Sequence, residues 1–172
     1  SINTSGNLSE EILSGDSFTY IIGYTVPPTA SGENYSAISI QIPLSEFNGR
    51  LSVASDPQGI GGYAVTGDDV LNVTYRPITN KLMITLNQTL TTGTGREISI
   101  RFVTENFDWE DGEEIKLNPT LTGSTSQGSE EVTGSLEPGK EPTVTMKADD
   151  GWQVEKSVGA VTSDDNYYYV PY

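Results

Sequence analysis

Between Tyr35 and Pro43 the chain alternates Ile38, Ile40 and Ile42 with Ser39 and Gln41. A period of two places the three isoleucines on one side of an extended strand and the polar residues on the other, a pattern that a helix with 3.6 residues per turn cannot bury. The same period recurs in Glu97 to Val103, where Ile98, Ile100 and Phe102 share a side. Val70 to Tyr75 and Lys81 to Leu86 flank Pro77-Ile78-Thr79-Asn80 and read as a hairpin. Phe18 to Val26 is an apolar run ended by Pro27-Pro28, and proline cannot donate to a sheet ladder. Leu51 to Ala54, Glu114 to Leu121, Glu131 to Leu136 and Pro142 to Met146 complete the set, separated by the turn residues Asp56-Pro57-Gln58-Gly59, Gly61-Gly62 and Asp111-Gly112 and by the polar loop Ser124 to Ser129. No long segment repeats apolar residues at three and four. About eight to ten strands in about 148 residues predict an all-β, antiparallel Greek-key β-sandwich.

The chain of 172 residues is long enough for one such domain and too short for two. Nine Lys and Arg against 24 Asp and Glu leave a formal charge of −15, which repels nucleic acid and anionic lipid headgroups. Cysteine and histidine are both absent, so disulfides, thiolate and imidazole metal sites, and Ser-His-Asp or Cys-His catalysis are excluded. A cysteine-free extracellular domain suits a bacterial setting. No stretch reaches the roughly 18 apolar residues that insert into a bilayer, and any signal or wall anchor is expected outside this sequence. Sequons at Asn3, Asn7, Asn34, Asn72 and Asn87 are expected by coincidence in a chain so rich in Asn, Ser and Thr.

Leu13-Ser-Gly-Asp-Ser-Phe-Thr-Tyr-Ile-Ile-Gly-Tyr24 is echoed by Val161-Thr-Ser-Asp-Asp-Asn-Tyr-Tyr-Tyr-Val-Pro-Tyr172. In each copy a polar turn, containing Asp16 or Asp164, leads into aromatic and β-branched residues. The expectation is a complete module over residues 1–148, followed over 149–172 by a linker and the first strands of a second, with the boundary in Asp149-Asp150-Gly151.

The strand Trp152-Gln-Val-Glu-Lys156, its turn and the following tyrosines resemble the start of the repeated immunoglobulin-like domains of Gram-positive cell-surface adhesin and fimbrial proteins. Ser14-Gly-Asp-Ser-Phe-Thr-Tyr20 and Ile38-Ser-Ile-Gln-Ile-Pro43 are similar to the same superfamily. The resemblance implies an immunoglobulin-like sandwich on the outside of a bacterial cell wall. It implies a non-enzymatic role in adhesion, or as a stalk projecting an adhesive tip, with a host or matrix protein, a glycan or neighbouring modules as partners. It also implies a lysine in a module's first strand, cross-linked to Asn or Asp beside a buried carboxylate, because burial favours the neutral amine and the protonated acid. Lys156 occupies that place in the second module, whereas the first module has no lysine before Lys81 and is expected to lack the bond.

Metal chemistry is restricted to oxygen ligands. Asp108, Glu110 and Asp111, in the acidic stretch Asp108 to Glu114, and the junction pair Asp149 and Asp150 are the candidate Ca²⁺ ligands; no other cofactor is expected. Asp68-Asp69 and Glu110-Asp111 are the carboxylate pairs that glycoside hydrolysis would require, but adjacent strand residues point to opposite faces, so no enzyme is expected. Trp109, Tyr63 and Tyr75 lie in or near loops and form the candidate ligand surface. Such a surface would suit the alternative function, a carbohydrate-binding module of a secreted multidomain enzyme. A surface-layer or scaffold domain is the third reading.

Overall fold

The computed structural model describes residues 2–5, 9–30, 32–88, 92–105, 108–128, 130–136, 139 and 141–147. In chain order the strands are β1 (Ile2–Ser5), β2 (Ser9–Leu13), β3 (Ser17–Tyr24), β4 (Tyr35–Pro43), β5 (Leu51–Val53), β6 (Val65–Thr66) and β7 (Val70–Arg76). They continue as β8 (Lys81–Leu86), β9 (Arg96–Thr104), β10 (Glu114–Lys116), β11 (Thr120–Thr125), β12 (Glu131–Ser135) and β13 (Thr143–Lys147). One sheet runs β1-β3-β9-β5 with β6 also on β9, a second runs β12-β11-β4-β8-β7, and a small third runs β10-β13-β2. The protein is an all-β immunoglobulin-like sandwich, as the strand rhythm and the resemblance both led us to expect.

The alternating residues build the core. Ile38, Ile40 and Ile42 of β4 are buried, as are Leu82, Ile84 and Leu86 of β8, and the register sets Ile40 opposite Ile84 and Ile42 opposite Leu82. On the other sheet Tyr20 faces Ile100, Ile22 faces Ile98, and the rings of Phe18 and Phe102 stack with centroids 5.6 Å apart. Each fully buried isoleucine contributes about 1.5–3 kcal/mol relative to an exposed one, so these four strands carry much of the fold's stability. Ile115, Val144 and Met146 add the small sheet to the same core.

Three features depart from the sequence reading. Glu114 to Leu121 is not one strand: Leu117-Asn118-Pro119 interrupts it, so β10 joins the small sheet and β11 pairs with β4. Pro119 has no amide hydrogen to offer a ladder, which makes it the natural break. β1, β2 and β6 are additional strands without an alternating apolar signature. β13 closes the fold as expected, yet it runs parallel to β2. The turn between β2 and β3 is closed by Asp16, whose amide donates to Leu13 O at 3.0 Å while its Oδ2 accepts from Leu13 N at 3.1 Å. The expected boundary and all of 149–172 lie outside the described residues.

Candidate functional site

Arg50 follows the Asn48-Gly49 turn, where both residues adopt positive φ. Its Nε donates to Phe47 O at 3.2 Å, Nη1 to Glu113 Oε1 at 3.0 Å and Nη2 to Glu113 Oε2 at 2.7 Å. The guanidinium carbon lies 4.1 Å from the centre of the Trp109 ring. A planar fork matched to a carboxylate and stacked on an indole is a geometry lysine cannot reproduce. The hydrogen bonds from Arg50 hold the Glu113 carboxyl below the usual range, and Glu113 in turn raises Arg50. Trp109 Nε1 donates to Glu105 O at 3.0 Å, and Ser52 Oγ donates to Glu105 Oε1 at 2.6 Å. The backbone closes the latch, with Gly112 N donating to Met146 O and Met146 N to Glu113 O, both at 2.7 Å. Arg50 therefore ties the segment leading into β5 to the loop before β10 and, through it, to β13.

This latch changes the reading of the acidic stretch. Glu113 is committed to Arg50, and among the described residues no three Asp or Glu side chains converge on a point that could hold a cation. Asp108, Glu110 and Asp111 form no such group; Asp108 presents its carbonyl oxygen to Arg50 Nη1 at 3.3 Å. Asp149, Asp150 and Lys156 lie outside the described residues. Lys81, the first lysine of the chain, sits at the start of β8 with Nζ 3.4 Å from Gln41 Oε1.

The three aromatic residues do not form an exposed platform. Trp109 is 6% exposed, with one face covered by Arg50 and its nitrogen turned to the backbone. Tyr63 and Tyr75 are half-buried against the core, and the Tyr75 hydroxyl donates to Asn80 Oδ1. Position in a loop predicted exposure; burial by tertiary partners removes it.

Asp68 and Asp69 precede β7 in a turn, so they do not diverge as strand neighbours would. Arg96 reaches both, with Nη1 3.6 Å from Asp68 Oδ2 and Nε 3.4 Å from Asp69 Oδ2. Tyr24 OH donates to Asp69 at 3.3 Å, and burial, then Asp69, pushes the Tyr24 phenol well above its ordinary value. Tyr24, Asp68 and Arg96 border an open cleft of about 710 Å³ along with Thr66, Glu97 and Ser99. With Asp69 bound to a guanidinium and a phenol, the pair is arranged as an ion cluster. Arg50 and Arg96 were the residues missed in sequence; their only signal was that they are scarce cations in an acidic chain.

No protein-family model matches the sequence, and no curated protein sequence does. Among solved structures, the major pilin subunit BcpA of Bacillus cereus superposes with a TM-score of 0.61 at 15% identity, over 85% of this chain and 40% of the pilin. The chain has the fold of a Gram-positive pilin domain. The full-length major pilin SpaD of Corynebacterium diphtheriae matches the chain with a TM-score of 0.55 at 18% identity, over 79% of the chain and 33% of the pilin. A 35 kDa C-terminal fragment of the Streptococcus agalactiae major pilin gives 0.52 at 14% identity, over 83% and 54%. The chain thus spans a third to about half of these structures, and at such identities the likeness is one of fold.

Proposed function

We propose that the chain is a non-enzymatic module of a Gram-positive cell-surface protein, a stalk segment that spaces an adhesive tip from the wall. The observation that carries this reading is the likeness over 85% of the chain to one part of a major pilin subunit. Residues 149–172 open the next module of the same polypeptide in this reading, as the echo of Leu13–Tyr24 suggests. The clusters around Arg50 and Arg96 act as internal ion pairs that hold loops to sheets. The interior position of Trp109 counts against the carbohydrate-binding alternative.

Antibodies raised against the folded domain test the proposal on intact cells of the producing bacterium. Labelling along surface filaments or at the wall is the expected result. Label confined to the cytoplasmic fraction overturns it.

A further inference from the structure

Tension in a stalk enters a module through its first strands and leaves through its last. In this chain β2 and β13 pair in parallel, Ser9 opposite Thr143 at one end and Leu13 opposite Lys147 at the other. The side from which the chain enters β2 and the side from which it leaves β13 are therefore at opposite ends of one ladder. We propose that this ladder is the mechanical clamp of the module. A pull along the chain draws β2 and β13 past each other in opposite directions along a common axis, so the five registered pairs are loaded together. Antiparallel terminal strands would be loaded at one end, and their bonds would open one at a time. The evenly spaced, slanted bonds of a parallel pair share such a load.

β13 is also gripped from its second side. Glu114, Ile115 and Lys116 pair with Thr145, Val144 and Thr143, and the two 2.7 Å backbone bonds between Gly112, Glu113 and Met146 extend that contact. Arg50 pins this flank through Glu113. β1 is loaded in the same sense, since Ile2 lies opposite Tyr24 and Ser5 opposite Ile21, with the N-terminal end at the far end of β3.

The clamp deepens the stalk reading and takes its biological meaning from it, but the resistance belongs to the ladder and is measured separately. The full chain contains no cysteine, so introduced pairs give unique handles for single-molecule pulling. Ser9→Cys with Lys147→Cys loads the ladder in shear, and Ser9→Cys with Thr143→Cys loads the same ladder at one end. Because forced unfolding follows the unfolding barrier along the pulled direction, shear is expected to need at least about twofold higher force at equal loading rate. Arg50→Ala in the shear variant is expected to lower that force. Equal forces in the two geometries overturn the clamp, while surface labelling still decides the stalk. If handles within the ladder prevent folding, as judged by circular dichroism, Asn7→Cys with Ala148→Cys against Asn7→Cys with Glu141→Cys gives the same contrast with every ladder residue intact.

Discussion

Arg50 and Glu113 lie 63 residues apart and meet through two parallel hydrogen bonds of 3.0 and 2.7 Å, with the indole of Trp109 beneath the guanidinium. The two side chains are 21% and 28% exposed, which shields the pair from much of the screening that weakens surface ion pairs. Removing the guanidinium leaves a partly buried carboxylate and an uncovered indole face, so Arg50→Ala is expected to cost about 1–3 kcal/mol in urea unfolding. Arg50→Lys is expected to recover less than half of that loss, because an ammonium cannot form the fork. Full recovery by lysine would show that only the charge matters.

The same pair sets an acid limb. Glu113 has a folded-state pKa below its unfolded value, so its contribution is complete above the ordinary glutamate value of about 4.3 and is lost as pH falls through the lower folded value. Stability measured across that acid range is expected to fall more steeply in the natural protein than in Arg50→Ala. Parallel curves for the two would exclude Glu113 as the source of the slope.

Gly61 has φ of 67° and approaches β7 so closely that a Cβ there would lie 2.2 Å from the Val73 carbonyl oxygen. Its turn covers an edge strand that would otherwise offer free backbone groups to a second chain. Gly61→Ala is expected to cost about 2 kcal/mol or more, from backbone conformation and from the collision together. The accompanying exposure of β7 should raise aggregation on heating, measured by light scattering. Ile78, 99% exposed in the β7–β8 turn, provides the contrast: Ile78→Ser should stay within about 0.5 kcal/mol of the parent.

Trp109→Ala is expected to destabilise the fold by about 3–5 kcal/mol, as a buried aromatic truncation does. On a glycan array the intact protein should show no sugar binding that depends on Trp109. A variant that kept its thermal midpoint but lost a sugar would restore the aromatic platform.

Legibility in the sequence followed the energetics. Ile38, Ile40, Ile42, Ile98, Ile100 and Phe102 were readable because a buried face imposes a local period that needs no knowledge of the partner strand. β2 was not, since Ser9-Glu10-Glu11 carries no such period and becomes a strand through its pairing with β13. Trp109 was misread for a related reason: its neighbours in sequence are acidic and loop-like, while the groups that enclose it, Arg50 and the Glu105 carbonyl, arrive by folding. Arg50 gave no local signal at all, because its partner is contributed by a distant loop.

The break at Pro119 has a thermodynamic corollary. Within ten residues the backbone leaves one layer, as β10, and enters another, as β11, so neither layer can melt without dragging the chain of its counterpart. Calorimetric and van't Hoff enthalpies of the domain should therefore coincide, marking a single all-or-none transition, and the layers should show no separate melting steps.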